Sequence, residues 1–289
     1  MIRLFLPPEK LFDEKIIIIG EQARYLSLVL RVKPGELFTA FDGSGFRYIY
    51  KILHVHKKEI LAEKIKAEKY STESPLLITL AQGIPKGDKM DFIVQKSTEL
   101  GVNKIIPLIT ERSQVKQTGK SARWRKIVLS ASQQCGREKI PEIMEAMEIE
   151  DLLKNLPLPL LIKEGNIPLT SSTLERGEGV CDRGEISSPL KKGSQEIPPL
   201  EKGDAGGFSG IIFSEEQKDR NLKKILTSFK DIKTITLLIG PEGGFSETET
   251  KIAVEKGFIS ASLGPRILRT ETAPITALSI LQYELGDMG

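Results

Sequence analysis

The spacing of apolar and polar positions changes character near residue 71. From Glu36 to about Lys69 the two alternate: Phe46, Tyr48, Tyr50 and Ile52 interleave with Arg47, Ile49 and Lys51 after the turn Asp42-Gly-Ser-Gly45. A period of two next to a glycine turn predicts a small antiparallel sheet or barrel. Just upstream, Tyr25-Leu-Ser-Leu-Val-Leu-Arg31 predicts a short helix or strand closed by Lys33-Pro34-Gly35.

Beyond the turn-rich Ser71-Thr-Glu-Ser-Pro75 linker, strand and helix patterns take turns. Leu76 to Ala81 predicts a buried strand. Asp88 is placed to cap a helix whose Met90, Ile93, Val94, Ser97 and Leu100 share one face and which Gly101 ends. Lys104 to Ile109 follows as a strand, and Ser121 opens a helix with Trp124, Ile127, Val128 and Ala131 inward. Further strands are expected at Leu158 to Lys163, Ile235 to Ile239 and Phe258 to Leu263. Ser246-Glu-Thr-Glu249 has capping-box spacing, so a helix starts there and stops at Gly257. A last helix runs from about Thr272 through Ile275, Leu278 and Leu281. The alternation predicts an α/β fold, a parallel sheet covered on both faces.

One stretch lies outside this pattern. Between Gly165 and Gly210, 19 of 46 residues are Gly, Pro or Ser, and Pro189-Leu-Lys-Lys-Gly193 recurs as Pro199-Leu-Glu-Lys-Gly203. Such a composition buries too little apolar surface to offset its ordering entropy, so residues 165–210 are expected to be a flexible insertion after the third strand. A functional lid is the alternative.

A length of 289 residues and 39% hydrophobic content suit one large core and a smaller one. The division expected is 1–70 and 71–289. Net charge is only +3, but Lys and Arg outnumber Asp and Glu by 13 to 9 in residues 1–70 and by 12 to 5 in residues 82–141. A basic face of that kind attracts a polyanion, although solvated surface lysines explain it as well. Cys135 and Cys181 lie far apart without histidine partners, which suggests neither a disulfide framework nor a metal site and fits the cytosol. No secretory signal or membrane-spanning run is evident.

Two glycine-bearing stretches carry the candidate chemistry: Leu237-Leu-Ile-Gly-Pro-Glu-Gly-Gly-Phe245 and Leu263-Gly-Pro-Arg-Ile-Leu-Arg-Thr-Glu-Thr-Ala273. Each reads as a strand entering a loop and then a helix, so the two strand ends are expected side by side with backbone N–H and C=O groups open to a ligand. The loop Gly240 to Gly244 has neither phosphate-loop nor Gly-x-Gly-x-x-Gly spacing, which removes support for triphosphates and dinucleotides. It does lead into a helix N-terminus, where free N–H groups favour a carboxylate or a ribose oxygen. Plain turn glycines and an ordinary Arg269 or Glu271 salt bridge are the structural alternatives.

These two stretches, together with Gln82-Gly-x-x-Lys-x-x-Lys-Met-Asp-x-Ile-Val-Gln-Lys-x-Thr-Glu-Leu-Gly101, resemble the 16S ribosomal RNA (uracil-N3)-methyltransferases of the knotted SPOUT class. Val29-Leu-Arg31, the Asp42-Gly turn, and Arg123-Trp124-x-Lys126 through Gln133-Gln134-Cys135-x-Arg137 extend the resemblance along nearly the whole chain. Tyr25 departs from it, standing where the pattern has a histidine, and so does the insertion.

The resemblance implies an N-terminal PUA-like RNA-binding β-barrel, a C-terminal α/β domain with a deep trefoil knot, a homodimer, and S-adenosyl-L-methionine as cofactor. The residues it implies for the cofactor are Leu161, Ile162 and Glu164, then Ile239, Gly240, Glu242, Gly243 and Gly244, then Leu263, Gly264, Ile267, Leu268 and Thr270. Contacts to 16S rRNA or the small ribosomal subunit are expected from Arg24, Arg31, Lys86, Lys89, Arg112, Arg123 and Arg137. Arg269 is expected to stabilise charge on uracil and Glu271 to remove its N3 proton, with Glu242 as reserve base. Neither membrane nor metal is implied. A SPOUT enzyme acting on another nucleotide, or a non-enzymatic RNA-binding factor with a relic pocket, are the rival readings.

Overall fold

The computed structural model describes residues 2–114, 119–156, 207–214, 221–227, 229 and 232–289. The expected strand Leu158 to Lys163, with Leu161, Ile162 and Glu164, lies outside them.

The N-terminal strands are β1 (Ile2–Phe5), β2 (Lys15–Ile19), β3 (Leu37–Phe41), β4 (Phe46–Val55) and β5 (Glu59–Lys69). They form one curled sheet in the order β1-β3-β4-β5-β2, antiparallel except for the parallel pair β1 and β3. Its alternating residues bury Phe38, Tyr50, Ile52 and Ile60 in a common core, with the Phe38 and Tyr50 rings stacked 5.5 Å apart. Between β2 and β3 the chain makes the short helix α1 (Gly20–Arg24) and a single π-helical turn, Tyr25–Val29. Arg31 then takes a left-handed φ of 53°, rare without glycine.

The remainder is built around a parallel sheet. In chain order it comprises β6 (Leu77–Gly83), α2 (Lys89–Glu99), β7 (Lys104–Ile109), α3 (Ser121–Cys135), β8 (Glu142–Ile143), β9 (Met147–Glu148), α4 (Ile149–Asn155), β10 (Gly207–Phe213), α5 (Leu222–Leu226), β11 (Ile232–Ile239), α6 (Glu247–Glu255), β12 (Ile259–Ala261) and α7 (Thr272–Leu285). The sheet order is β12-β10-β11-β6-β7-β8, with β9 also on β7. Apolar clusters cover both faces: Leu80, Ile93, Trp124, Leu237 and Leu278 on one, Ala81, Leu152, Leu238 and Phe258 on the other.

Three expectations change here. The strand that joins β11 in the sheet is Gly207–Phe213, whose first four residues fall within the stretch expected to be an insertion. It also separates β11 from β12, so the two glycine loops do not leave adjacent strands. Asp88 occupies the N-cap of α2 but makes no side-chain cap, accepting instead from Lys120 at 3.3 Å. The capping box at Ser246 and Glu249 and the left-handed Gly101 after α2 are as expected.

Buried charges join the two sheets. Glu138 is fully buried and accepts from Arg3 at 2.7 and 3.0 Å and from Arg47 at 3.0 Å. Arg137, also buried, pairs with Glu73 and donates to the carbonyls of Thr98 and Val102 at 3.0 and 2.7 Å. Arg137 is therefore a structural strut, and its expected contact with RNA is corrected: all of its donors to these partners point inward.

Candidate functional site

A cleft of about 570 Å³ lies at the C-terminal ends of β10, β11 and β12, where parallel sheets generally hold ligands. Its lining includes Ile239 to Phe245 after β11, Leu263 to Thr270 after β12, and Phe213 and Ser214 at the end of β10. Every described residue of the two glycine loops expected to hold a cofactor is thus brought to one place. Phe213 and Ser214 were missed, because the glycine-rich flank of β10 hid a strand.

The loops are narrow because glycine allows them to be. A Cβ on Gly240 would stand 2.8 Å from the carbonyl carbon of Gly244, and one on Gly83 would stand 2.5 Å from Cδ of Pro241. Backbone therefore meets backbone across the gap. Gln82 ties the pieces: its buried amide nitrogen lies 3.0 Å from the Gly83 carbonyl and 3.3 Å from both the Gly240 carbonyl and the Thr270 hydroxyl. Thr270 in turn donates to the Gly240 carbonyl at 2.9 Å. Gln82 was legible only as part of a motif, since a glutamine at a strand end carries no signal of its partners.

A further brace comes from the loop after β7. Arg112 donates to the Gly243 carbonyl at 3.0 Å, and the Glu111 N–H donates to Glu249 at 2.8 Å. Glu249 also accepts from the Ser246 N–H at 2.8 Å, and Ser246 accepts from the Glu249 N–H at 3.2 Å. The capping box thus engages two of the N–H groups at the start of α6, which narrows the expected role of that terminus in ligand binding.

Charged residues gather at the cleft mouth. Lys89, the first residue of α2, lies 2.7 Å from Glu242 and 3.7 Å from Glu271. Glu242 also receives the Lys86 N–H at 3.2 Å. Burial opposes ionisation of Glu242, but the Lys89 hydrogen bond and backbone N–H groups outweigh it and hold the carboxyl below its ordinary range. Glu242 in turn raises the Lys89 ammonium above the ordinary lysine value. Oε2 of Glu271 is shielded from solvent and has no hydrogen-bond partner among the described residues. Arg269 is exposed and lines the same cleft.

A family model described as an RNA methyltransferase domain matches residues 72–171 and 200–282, and one described as an RNA methyltransferase PUA domain matches residues 18–65. The chain belongs to the RNA methyltransferase family. Its similarity to ribosomal RNA small subunit methyltransferase E of Buchnera aphidicola is 30% identity over 99% of this chain and 94% of that one. Against the Bacillus subtilis protein of the same name it is 28%, over 92% and 89%. A crystal structure of that enzyme from Neisseria gonorrhoeae bound to S-adenosyl methionine has a TM-score of 0.76 at 32% identity and full coverage of both chains. A methyltransferase from Legionella pneumophila in complex with the same cofactor has a TM-score of 0.74 at 31% identity, covering 99% of each chain.

Within this RNA methyltransferase the remaining basic residues divide. Lys89 and Arg112 line the cleft, whereas Lys86 is exposed and meets Glu242 through its backbone. Arg123 pairs with Asp91 at 2.5 Å, its side chain still mostly exposed. Arg24 and Arg31 are exposed on the helical segment of the N-terminal sheet, beside exposed Tyr25, Leu28 and Val29. The matched stretches of the larger family model leave out residues 172–199, inside the expected insertion. No helix among the described residues is long and apolar enough to cross a membrane.

Proposed function

We propose that this protein methylates N3 of a uridine in 16S ribosomal RNA of the small subunit, with S-adenosylmethionine as methyl donor. The observation that carries this reading is the joining of a backbone-lined cleft, built from the loops Gly240 to Gly244 and Leu263 to Thr270, to a mouth lined by Lys89 and Arg269, with Glu271 3.7 Å from Lys89. The cleft suits the donor: Gly244 and Gly264, where a Cβ would meet nothing within 4 Å, leave room for close approach, Leu263, Ile267, Leu268 and Phe213 offer apolar walls for a flat ring, and loop backbone supplies polar partners. When bound, the cofactor supplies an electrophilic methyl group on a sulfonium that departs as a neutral thioether.

The chain's own residues then have two tasks, to hold the base and to take its proton. Uracil N3 carries a weakly acidic proton on the Watson–Crick edge, so the nucleotide must be unpaired before N3 is reached. Glu271, whose side chain is partly exposed although Oε2 is shielded, accepts the N3 proton on its other oxygen, and the Arg269 guanidinium offsets negative charge gathering on the uracil oxygens. Arg24, Arg31, Lys86, Arg112 and Arg123 supply cationic contacts to the phosphates. The knot, the homodimer and the cytoplasmic location belong to the same reading; α2 and α7, which leave Phe92 and Tyr283 exposed, are the surface offered for the second copy.

Mass spectrometry of 16S rRNA from a deletion strain tests the assignment. Loss of 3-methyluridine, restored by the wild-type gene, is the expected result; retention of that nucleoside with loss of a different mark sinks it.

A further inference from the structure

The arrangement of Lys89, Glu242 and Glu271 places one ammonium between two carboxylates at unequal distances, 2.7 Å to Glu242 and 3.7 Å to Glu271. The inequality has a structural cause. Glu242 is held by the Lys86 N–H as well, so it is the fixed end of the array, and Lys89 projects from the first turn of α2 toward it. Glu271 precedes α7, and Oε2, the atom nearer Lys89, has no hydrogen bond among the described residues while being closed off from solvent.

Two unlike requirements meet at such a carboxylate. Its charge must be held at the mouth of the cleft beside a second carboxylate, which calls for a nearby cation. Its other oxygen must stay unoccupied to receive a proton, which calls for that cation to keep to the shielded side. A lysine anchored elsewhere meets both. Glu242 supplies the anchor, and hydrogen bonding to it keeps Lys89 charged. Lys89 is also neutralised there, which makes it a poor partner for an RNA phosphate.

We propose that Lys89 is a positioning residue for Glu271: held on Glu242, it fixes the Glu271 carboxylate from the side of the shielded Oε2 and leaves the other oxygen free for the proton of N3. This replaces the phosphate contact expected from its charge, and it rests on Glu271 as the proton acceptor. In the step itself the N3–H bond breaks, its proton passes to a Glu271 oxygen, and the N3 electron pair remains for the methyl group. Lys89 ends as it began, paired with Glu242. If Glu242 is removed, Lys89 is free to close on Glu271 and draw the carboxylate out of the position that the reaction uses.

The test compares Lys89→Met, Lys89→Arg, Glu242→Gln, Glu271→Gln and the double variant Lys89→Met/Glu271→Gln. Single-turnover methylation of small subunits is measured alongside calorimetric binding of S-adenosylmethionine. Lys89→Met is expected to lower the rate about tenfold or more, with the apparent affinity for the subunit and for the cofactor within about twofold of wild type. Lys89→Arg recovers most of the rate, and Glu242→Gln loses it to an extent similar to Lys89→Met. The double variant is no slower than Glu271→Gln alone, because a positioning residue has nothing left to position.

Weaker subunit binding at an unchanged rate in Lys89→Met would return Lys89 to the phosphate contacts and overturn the proposal. So would additive losses in the double variant. Failure of the substrate assignment is read separately, from the position of the methyl group in the wild-type product; the coupling between Lys89 and Glu271 is measurable on whichever atom is methylated.

Discussion

The molecule holds two clusters of opposite charges, one between the sheets and one at the cleft, and they are built in opposite ways. At the junction Glu138 is fully buried and held by Arg3 and Arg47, while Arg137 is held by Glu73 and two carbonyls. At the cleft Lys89 serves two carboxylates, Oε2 of Glu271 has no hydrogen-bond partner among the described residues, and Arg269 is exposed. Buried charge must be paired to offset its desolvation, so both junction carboxylates are held by guanidinium groups, although the buried Nε of Arg3 has no hydrogen-bond partner among the described residues. Charge at an open cleft need not be saturated, and a carboxylate left partly exposed is where a substrate proton can go. Pairing of the carboxylates, more than the residue types, separates a strut from a reactive site.

The contrast breaks most directly at Glu271. Glu271→Gln is expected to lower kcat by about 10²–10⁴ with the thermal midpoint unchanged, measured by methyl incorporation and calorimetry. The converse holds at the junction. Glu138→Ala leaves two guanidinium groups facing a vacated site and is expected to cost about 3–5 kcal/mol of stability in denaturant unfolding, with cofactor affinity preserved in the molecules that remain folded.

Between these extremes stands the cleft wall. Gly240→Ala forces a methyl group to within 2.8 Å of the Gly244 backbone and is expected to weaken S-adenosylmethionine binding by roughly 2–3 kcal/mol in calorimetry. A smaller effect sharpens the rule about buried polar groups. The Tyr50 hydroxyl is buried and has no hydrogen-bond partner among the described residues, and burial, then the neighbouring Tyr48 and Asp13, push its pKa up to about 12. A raised pKa keeps its stability contribution whole below the ordinary tyrosine value, and the contribution is lost as pH rises through the folded value. Wild type is therefore expected to lose roughly 2 kcal/mol between pH 10 and 12 through this group. Tyr50→Phe should remove that part of the decline and leave stability at pH 7 nearly unaltered.

Much of this was legible before any coordinates. The period change near residue 71, the helix faces of α2 and α3, the capping box at Ser246 and the glycine loops are local patterns, and local patterns are written in neighbouring residues. What failed to read locally failed for identifiable reasons. Arg137 carries the same charge as Arg123, and only packing against Thr98, Val102 and Glu73 turns one inward while the other stays largely exposed. Asp88 has the chemistry of a cap, but its carboxylate accepts instead from Lys120, 32 residues away. The strand Gly207–Phe213 sits beside a glycine-rich segment that masks its short apolar run, and pairing with β11 and β12 is what defines it.

By itself the sequence determined the class of fold, the two loops that must be glycine-rich, and the family to which the chain belongs, because each depends on periodicity or on motifs of contiguous residues. Tertiary structure alone decided that β10 stands between β11 and β12, that Gln82 and Thr270 bind the loops together, that Arg137 is a strut, and that Lys89 is shared by Glu242 and Glu271. These relations join residues far apart in the chain, and their energies arise from burial and from which opposite charge comes nearest. Both quantities come into being only when the chain has packed.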